Sequence, residues 1–421
     1  MLNTIQVGNN IDILKTITDN SIDSIVTDPP YGLGKEPNAI EVLTSWVTKG
    51  FHEIKGKGFM GKEWDAFVPQ PIFWKECKRV LKPGGYLLSF AGTRTYDWIV
   101  MGLRIAGFEI RDQIAWVYGS GFPKSHDIRK AIDKVYGAER EVVGKDSRTA
   151  KPENTTVNMG IGFGKWDITS PSTDQAKQWQ GWGTALKPAL EPIVVARKKL
   201  EGTVAENVLK YGVGGINVDG CRVETDDDIS GISSKTSIWG VNGDSKEVVS
   251  KGNTYGGRFP ANFIHDNSEE VVDLLQDSAR FFYTPKASQK ERNKGLDEFE
   301  ENTITDGRIK SIDNAYNRGE TIKKNIHPTV KPIDLMRYLV KLVTPKNATC
   351  LDPFMGSGTT AIACKLEGIN YIGCELNEEY AKIAESRIND YFRELTIFDT
   401  EELEQEEKKK QETIEQITLE I

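Results

Sequence analysis

Apolar positions along this chain fall into two rhythms, and their alternation outlines a fold. Asn3 to Val7 is a short β-prone run, and Ile11, Leu14 and Ile17 recur at helical spacing. Ile22 to Thr27 then predicts a second strand, which must stop at Asp28-Pro29-Pro30-Tyr31 because two prolines cannot continue a central strand. Residues 71–82 read as an amphipathic helix halted by Pro83-Gly84-Gly85, followed by a buried strand over Tyr86 to Phe90. Ile110 to Tyr118 and Pro192 to Ala196 are further strands. From about 200 to 325 the pattern breaks into short apolar pieces among Gly, Asn and Ser, which predicts a smaller, loop-rich region. Regular alternation returns with a helix over 333–343, a strand over 348–351, a helix over 359–367, a strand over 369–373 and a helix over 378–393. Strands separated by helices in this way predict an α/β fold built on a doubly wound, mostly parallel sheet.

Composition changes this picture little. The 38% hydrophobic and 28% charged residues of the 421 are ordinary for a globular protein, and no apolar run reaches membrane-spanning length. The N-terminus lacks a basic-then-apolar leader, so a cytoplasmic home is the expectation. The five cysteines form no Cys-x-x-Cys pair and the four histidines are scattered, so no metal site is expected. A net charge of −8 sits badly with a nucleic-acid partner until it is located. Residues 399–421 hold nine acids against three lysines, which leaves the rest of the chain near neutral and free to carry a basic cleft. That tail reads as a solvated helix, a disordered segment or a weak coiled coil.

Two motifs carry chemistry. Asp352-Pro353-Phe354-Met355-Gly356-Ser357-Gly358-Thr359 follows one strand and opens a helix, where glycines admit close backbone approach and the helix N-terminus favours a carboxylate. Glu375 ends the next strand, the position from which a carboxylate accepts both hydroxyls of a ribose. Asp28-Pro29-Pro30-Tyr31 is the sharper signal. An exocyclic base amine is a poor nucleophile because its lone pair is delocalised into the ring. An Asp28 carboxylate and the carbonyl near Pro29 can each accept one of its N–H bonds, which favours the pyramidal amine and offsets the positive charge growing on nitrogen. Proline sets the carbonyl's direction, and Tyr31 offers a flat face for the base, which must be swung out of its duplex to reach the site.

With these motifs the chain resembles the DNA amino-methyltransferases, specifically the circularly permuted β group in which the D-P-P-Y motif comes early and D-P-F-x-G-S-G late. The resemblance covers about residues 3–118, 186–200 and 326–393. It implies S-adenosylmethionine as cofactor and double-stranded DNA as partner, with no membrane, and with a second copy of the chain and a cognate restriction nuclease as further candidate partners. His327-Pro328-Thr329-Val330-Lys331-Pro332 matches the family's H-P-T-x-K-P, whose residues lie against the methionine end of the cofactor. Permutation would bring the last strand–helix pair beside the first strand, so that one sheet closes from both chain ends. After that first strand the family pattern has an acidic residue for the cofactor's adenine amine. Here Asn9 stands in its place and must accept that bond instead.

The expected division is a catalytic half over 1–199, a target-recognition region over 200–325, a cofactor half over 326–395 and a charged tail over 396–421. Leu186 to Val194 resembles a late catalytic strand near the base pocket. The loop Gly119 to Lys124 suits contact with DNA, as do Arg222, Arg258, Lys286 and Arg292. Trp166, Trp179 and Trp182 read as core anchors in preference to cleft lining. Asp28 as the first residue of its tetrapeptide favours N6 of adenine, with N4 of cytosine the rival. Relatives acting on protein glutamine or RNA usually carry Asn first and the unpermuted order. Two other classes compete: a nucleotide-binding oxidoreductase, which leaves Asp28 to Tyr31 unexplained, and a catalytically silent DNA-binding subunit, which would not need them.

Overall fold

The computed structural model of the chain describes residues 2–54, 65–119, 125–146, 166–223, 234–239, 245–250, 257–275, 282–304 and 321–393. The acidic tail and most of the Gly119 to Lys124 loop lie outside them.

The first half runs β1 (Thr4–Val7), α1 (Asn10–Thr16), β2 (Ile22–Thr27), α2 (Ala39–Lys49), α3 (Pro71–Val80), β3 (Leu81–Phe90), α4 (Tyr96–Ala106) and β4 (Glu109–Val117). An excursion follows with α5 (Ile128–Val135), the hairpin β5 (Val142–Asp146) and β6 (Trp166–Thr169), and α6 (Asp174–Gln178). Then come β7 (Leu190–Arg197) and α7 (Val204–Tyr211). The middle segment contributes β8 (Ser234–Trp239), β9 (Ser245–Ser250), β10 (Phe263–His265), α8 (Glu269–Leu275), α9 (Gln289–Asn293), β11 (Asn302–Ile304) and β12 (Thr321–Lys323). The chain returns through α10 (Ile333–Val343), β13 (Thr349–Asp352), α11 (Thr359–Leu366), β14 (Asn370–Glu375) and a helix, α12, over 378–393.

Eight strands form one sheet in the order β1-β14-β13-β2-β3-β7-β4-β10. All its pairings are parallel except the two made by β7, which runs against β3 on one side and β4 on the other. Every residue of β2 is buried, as a strand covered on both faces must be. One apolar layer joins α10, α11 and α12 to the sheet, and the other joins α1, α2, α3 and α4 to its opposite face. This is the doubly wound sheet the alternation predicted.

Two departures have local causes. The helix expected over 71–82 ends at Val80, and β3 already pairs with Ile22 through Leu81 before its register jumps to Ser24 and Tyr86. Pro83-Gly84-Gly85 is therefore the irregular opening of the strand. Gly84 has φ +78°, and the space beside it is filled by Asn207, whose amide donates to the Pro83 carbonyl at 2.9 Å and the Val213 carbonyl at 2.8 Å. The second departure is that the loop-rich middle is woven into the main body: β10 adds an edge strand parallel to β4, and Phe282 stacks on Tyr338 of α10 at 4.2 Å.

β1 pairs with β14 in parallel register, so the two ends of the chain complete one sheet. The Asn3 side chain donates to Asn370 Oδ1 at 3.0 Å, and its own Oδ1 accepts from the Tyr371 backbone. Among the described residues no helix is long and apolar enough to cross a membrane.

Candidate active site

Parallel strands end on one edge of their sheet, and loops there converge on a common crevice. β1, β2, β13 and β14 all deliver their carboxyl ends to that edge, followed by Asn9, Asp28, the glycine loop and Glu375 in turn. β7 runs the other way, so its first residues lie on the same edge: Glu191 pairs with Trp116 near the end of β4. Lys331, just before α10, reaches the same edge, where it bonds Asp28.

At the β2 end, Lys331 Nζ lies 2.6 Å from Asp28 Oδ2 and 3.1 Å from the Tyr31 hydroxyl, and both partners are nearly buried. Tyr31 donates to Glu191 Oε2 at 3.0 Å, and Lys331 approaches the same oxygen at 3.3 Å. Asp28 Oδ1 is buried and has no hydrogen-bond partner. The loop itself is held from outside: Thr95 donates to the Tyr31 carbonyl at 2.6 Å, and the Gly32 N–H donates to Asp65 at 3.0 Å. Pro29 and Pro30 complete this turn.

Burial dominates the electrostatics here. Desolvation raises the Asp28 pKa above the usual carboxylate range, and Lys331 pulls it only partly back. Burial works against the Lys331 ammonium, but Asp28 and Glu191 together outweigh it and hold its pKa up. Glu191 is likewise desolvated, yet Lys331, Lys286 and the Tyr31 hydroxyl keep it ionised. Burial beside two carboxylates pushes the Tyr31 phenol well up, so it remains a donor.

The β13 end uses different means. Asp352 Oδ1 accepts from Thr27 Oγ1 at 2.6 Å and the Phe354 N–H at 3.0 Å, and its Oδ2 accepts from Thr360 Oγ1 at 2.5 Å. With only neutral donors against full burial, its pKa rises to about 6. Glu375 spans the crevice mouth, accepting from the Gly356 N–H and the Asn377 N–H, each at 2.8 Å. Pro353 accepts from Asn10, and Phe354 packs on Phe73 at 5.1 Å. Gly358 caps α11 at φ +83°, close against Ala384, where a side chain would be both strained and crowded.

His327 sits over Gly356, so a Cβ there would strike its ring, and its other face meets Tyr380 at 4.8 Å. Its Nδ1 lies 2.8 Å from the Thr329 carbonyl, and burial lowers its pKa to about 4, leaving a neutral ring. Pro328 completes that half-buried turn. Asn9 is exposed and its Oδ1 already accepts the Ile11 N–H at 2.9 Å as the cap of α1, although the preceding Gly8 N–H bonds the Glu375 carbonyl.

The structure thus brings Asp28, Tyr31 and Lys331 together, and separately gathers His327, residues 352–359 and Glu375. Sequence reasoning missed Glu191, Tyr118 and Arg387. Tyr118 donates to Glu191 Oε1 at 3.2 Å. Arg387, fully buried in α12, donates to the Ser357 carbonyl at 2.5 Å, to Ser357 Oγ at 3.0 Å and to Thr359 Oγ1 at 3.3 Å. Only the strand context of Leu186 to Val194 pointed toward Glu191, and nothing in the spacing pointed to Arg387.

Of the four cations proposed for DNA contact, Lys286 lies over the Tyr118 ring at 3.3 Å and Arg222 pairs with Asp219 at 2.9 Å. Arg292 donates to the Ala287 carbonyl, and the Arg258 backbone bridges to Val223. The core reading fails for Trp179 and Trp182, which stack edge-on at 5.1 Å with relative exposures of 42% and 60%. Both sit on the small excursion between β4 and β7, which has little apolar interior to receive them. The Trp166 side chain lies outside the described residues. Among the described residues no group of His, Cys, Asp and Glu is arranged to hold a metal ion.

Residues 22–386 match the N6_N4_Mtase family, described as DNA methylase, and the chain belongs to that family. It is similar to the type II methyltransferase M.HindIII of Haemophilus influenzae, with 23% identity over 408 residues that span 92% of this chain and 96% of that one. A shorter match, 45% identical over 71 residues, joins 17% of the chain to 27% of the type II methyltransferase M1.MboII of Moraxella bovis. Among solved structures, the M1.HpyAVI–SAM complex aligns with a TM-score of 0.37 at 16% identity, over 91% of this chain and 98% of that one. The cytosine-N4-specific PvuII DNA methyltransferase aligns at 0.40 and 12% identity, over 93% of each chain.

Proposed function

We propose that this chain transfers a methyl group from S-adenosylmethionine to the N6 amine of an adenine swung out of double-stranded DNA. The observation that carries this reading is the buried, unpartnered Asp28 Oδ1 beside the Tyr31 ring. A buried acceptor without a donor is costly unless something supplies one, and a base amine fits. Asp28 Oδ1 and the Pro29 carbonyl accept the two amine hydrogens and turn the nitrogen lone pair outward, while Tyr31 stacks on the ring. The Lys331 ammonium on Oδ2 orients the carboxylate and pulls its pKa part of the way back down.

S-adenosylmethionine, when bound, supplies an electrophilic methyl on sulfur. The residues suited to hold it are Glu375 for the ribose hydroxyls, the loop Asp352, Pro353, Phe354, Gly356, Ser357, Gly358 and Thr359, and His327, Pro328 and Thr329 on the facing side. The donor set fits: each Glu375 oxygen accepts a single backbone N–H and so has spare acceptor capacity. Asn9, two residues beyond β1, follows Gly8, whose N–H bonds the Glu375 carbonyl, and is the residue suited to meet the adenine amine. The early Asp28 to Tyr31 motif, the late glycine loop and the joining of β1 to β14 support a circularly permuted arrangement. In this reading residues 1–199 form the catalytic half, 200–325 recognise the target, 326–395 hold the cofactor, and 396–421 form a charged tail.

The test is transfer from labelled S-adenosylmethionine to unmethylated genomic DNA, followed by nucleoside digestion and mass spectrometry. N6-methyladenine is the expected product. N4-methylcytosine would move the target base while keeping the site, and the absence of both with cofactor bound would overturn the reading.

A further inference from the structure

The chemistry above uses Asp28, the Pro29 carbonyl and the Tyr31 ring. It leaves a second buried carboxylate without a task. Glu191 opens β7, the lone reversed strand of the main sheet, and reaches the site from a direction no neighbouring strand shares. Burying an additional anion is expensive unless it is fully paired. Here it is: Tyr31 and Tyr118 donate to its two oxygens at 3.0 and 3.2 Å, and Lys331 stands 3.3 Å away.

We propose that Glu191 is a positioning residue for methyl transfer, sharing Lys331 with Asp28 so that the ammonium stays on Oδ2 and leaves Oδ1 to the target amine. The inference rests on the reading of Asp28 given above. An ammonium has three donors and no fixed fork, so facing a single carboxylate it is free to bridge both oxygens. Glu191 and the Tyr31 hydroxyl take up its other donors and hold it to one side. Glu191 is itself held from across the crevice. Tyr118 at the end of β4 donates to it, and Lys286 of the middle segment lies over that tyrosine ring. The position of Lys331 is thereby linked to the segment proposed to read DNA.

The groups facing Glu191 are Asp28 and Tyr31 from the β2 loop, Tyr118 from β4, Lys331 before α10 and Lys286 from the middle segment, with Asp266 beyond Lys286. Removing the Glu191 charge takes an anion away from Asp28, which then ionises more easily. The acid limb of the rate profile therefore moves to lower pH even as the rate falls.

The experiment compares wild type, E191Q, E191D and D28A as full chains, with S-adenosylmethionine and unmethylated DNA, in steady state and in single turnovers across pH. For E191Q we expect a rate loss of roughly ten- to a hundredfold, the scale of a small misplacement of a reacting group. KM for DNA and cofactor should hold, and the acid limb should shift down. E191D keeps the charge and should recover part of the rate with the limb in place. A wild-type rate and unmoved limb in E191Q would overturn the proposal. So would a loss confined to KM, or one matched by lowered thermal stability and not repaired by E191D. If wild type transfers no methyl to DNA, or D28A matches wild type, the reading of the site falls first and this inference with it.

Discussion

The two ends of the crevice solve one problem in different ways. Asp28 follows one buried parallel strand and Asp352 ends the other, and burial raises the pKa of each. Asp352 is surrounded by fixed neutral dipoles, two threonine hydroxyls and a backbone N–H, which give each of its oxygens at least one donor. Asp28 is held by a buried cation on one oxygen and by nothing on the other. A carboxylate saturated by dipoles acts as a strut that fixes a loop. One held by a shared ammonium is drawn back toward its charged form and keeps an acceptor in reserve. The difference separates scaffold from chemistry more sharply than residue type or burial does.

The strongest way to break this contrast is Asp28→Ala. Transfer should fall by about a thousandfold, the scale of removing one preorganised partner of a developing charge, while cofactor binding is spared. A mutant that kept a tenth of the wild-type single-turnover rate would sink the assignment of Asp28.

Lys331→Met tests whether the cation keeps Asp28 ionised. Because Lys331 lowers the Asp28 pKa, removing it leaves the carboxyl protonated to higher pH. The acceptor form exists only above that pKa, so the acid limb of the rate should move upward, opposite to the shift expected for E191Q. At neutral pH the loss should be about a hundredfold. An unmoved limb would show that the ammonium serves elsewhere, for instance at the cofactor.

Glu375→Ala probes the other end. Losing a charged acceptor for ribose hydroxyls is worth about 1.5 kcal/mol, so cofactor Kd measured by calorimetry should rise roughly tenfold with kcat at saturation little changed. A fall in kcat at saturating cofactor would place Glu375 in the chemistry instead. The smallest effect is expected at His327, whose ring stays neutral until about pH 4. His327→Asn should therefore leave both limbs of the pH profile in place between about pH 5 and 8. A lost or shifted limb would make that ring a titrating participant.

What the sequence disclosed follows from what its pattern encodes. β2 was legible to the residue because Pro29 and Pro30 fix where a β-prone run must stop, and α10 because one wide apolar face repeats at helical spacing. Asp28, Tyr31, Glu375 and the glycine loop were legible because their chemistry is contained in a few adjacent residues. Glu191 was not, since its place depends on the direction of β7, and strand direction leaves no mark on periodicity. Arg387 was hidden for a related reason: a charge on an otherwise amphipathic helix reads as solvated until the loop it braces is known. Trp179 and Trp182 misled because large aromatics usually fill cores, whereas this excursion presents them to solvent.

The pairing of β1 with β14 also governs the order in which the molecule comes into being. Asn3 and Asn370, bonded side chain to side chain, stand 367 residues apart. At ordinary rates of synthesis the first strand leaves the ribosome roughly twenty to seventy seconds before its partner exists. Until then β2 and β3 can associate, but the edge that will receive β13 and β14 stays open, and β1 has no place to dock. A stalled or shortened chain would present that bare edge to its neighbours, the kind of surface on which strands from separate molecules join. The segment from α10 to β14 thus closes the sheet as well as carrying the glycine loop, and the open edge persists until that segment is made.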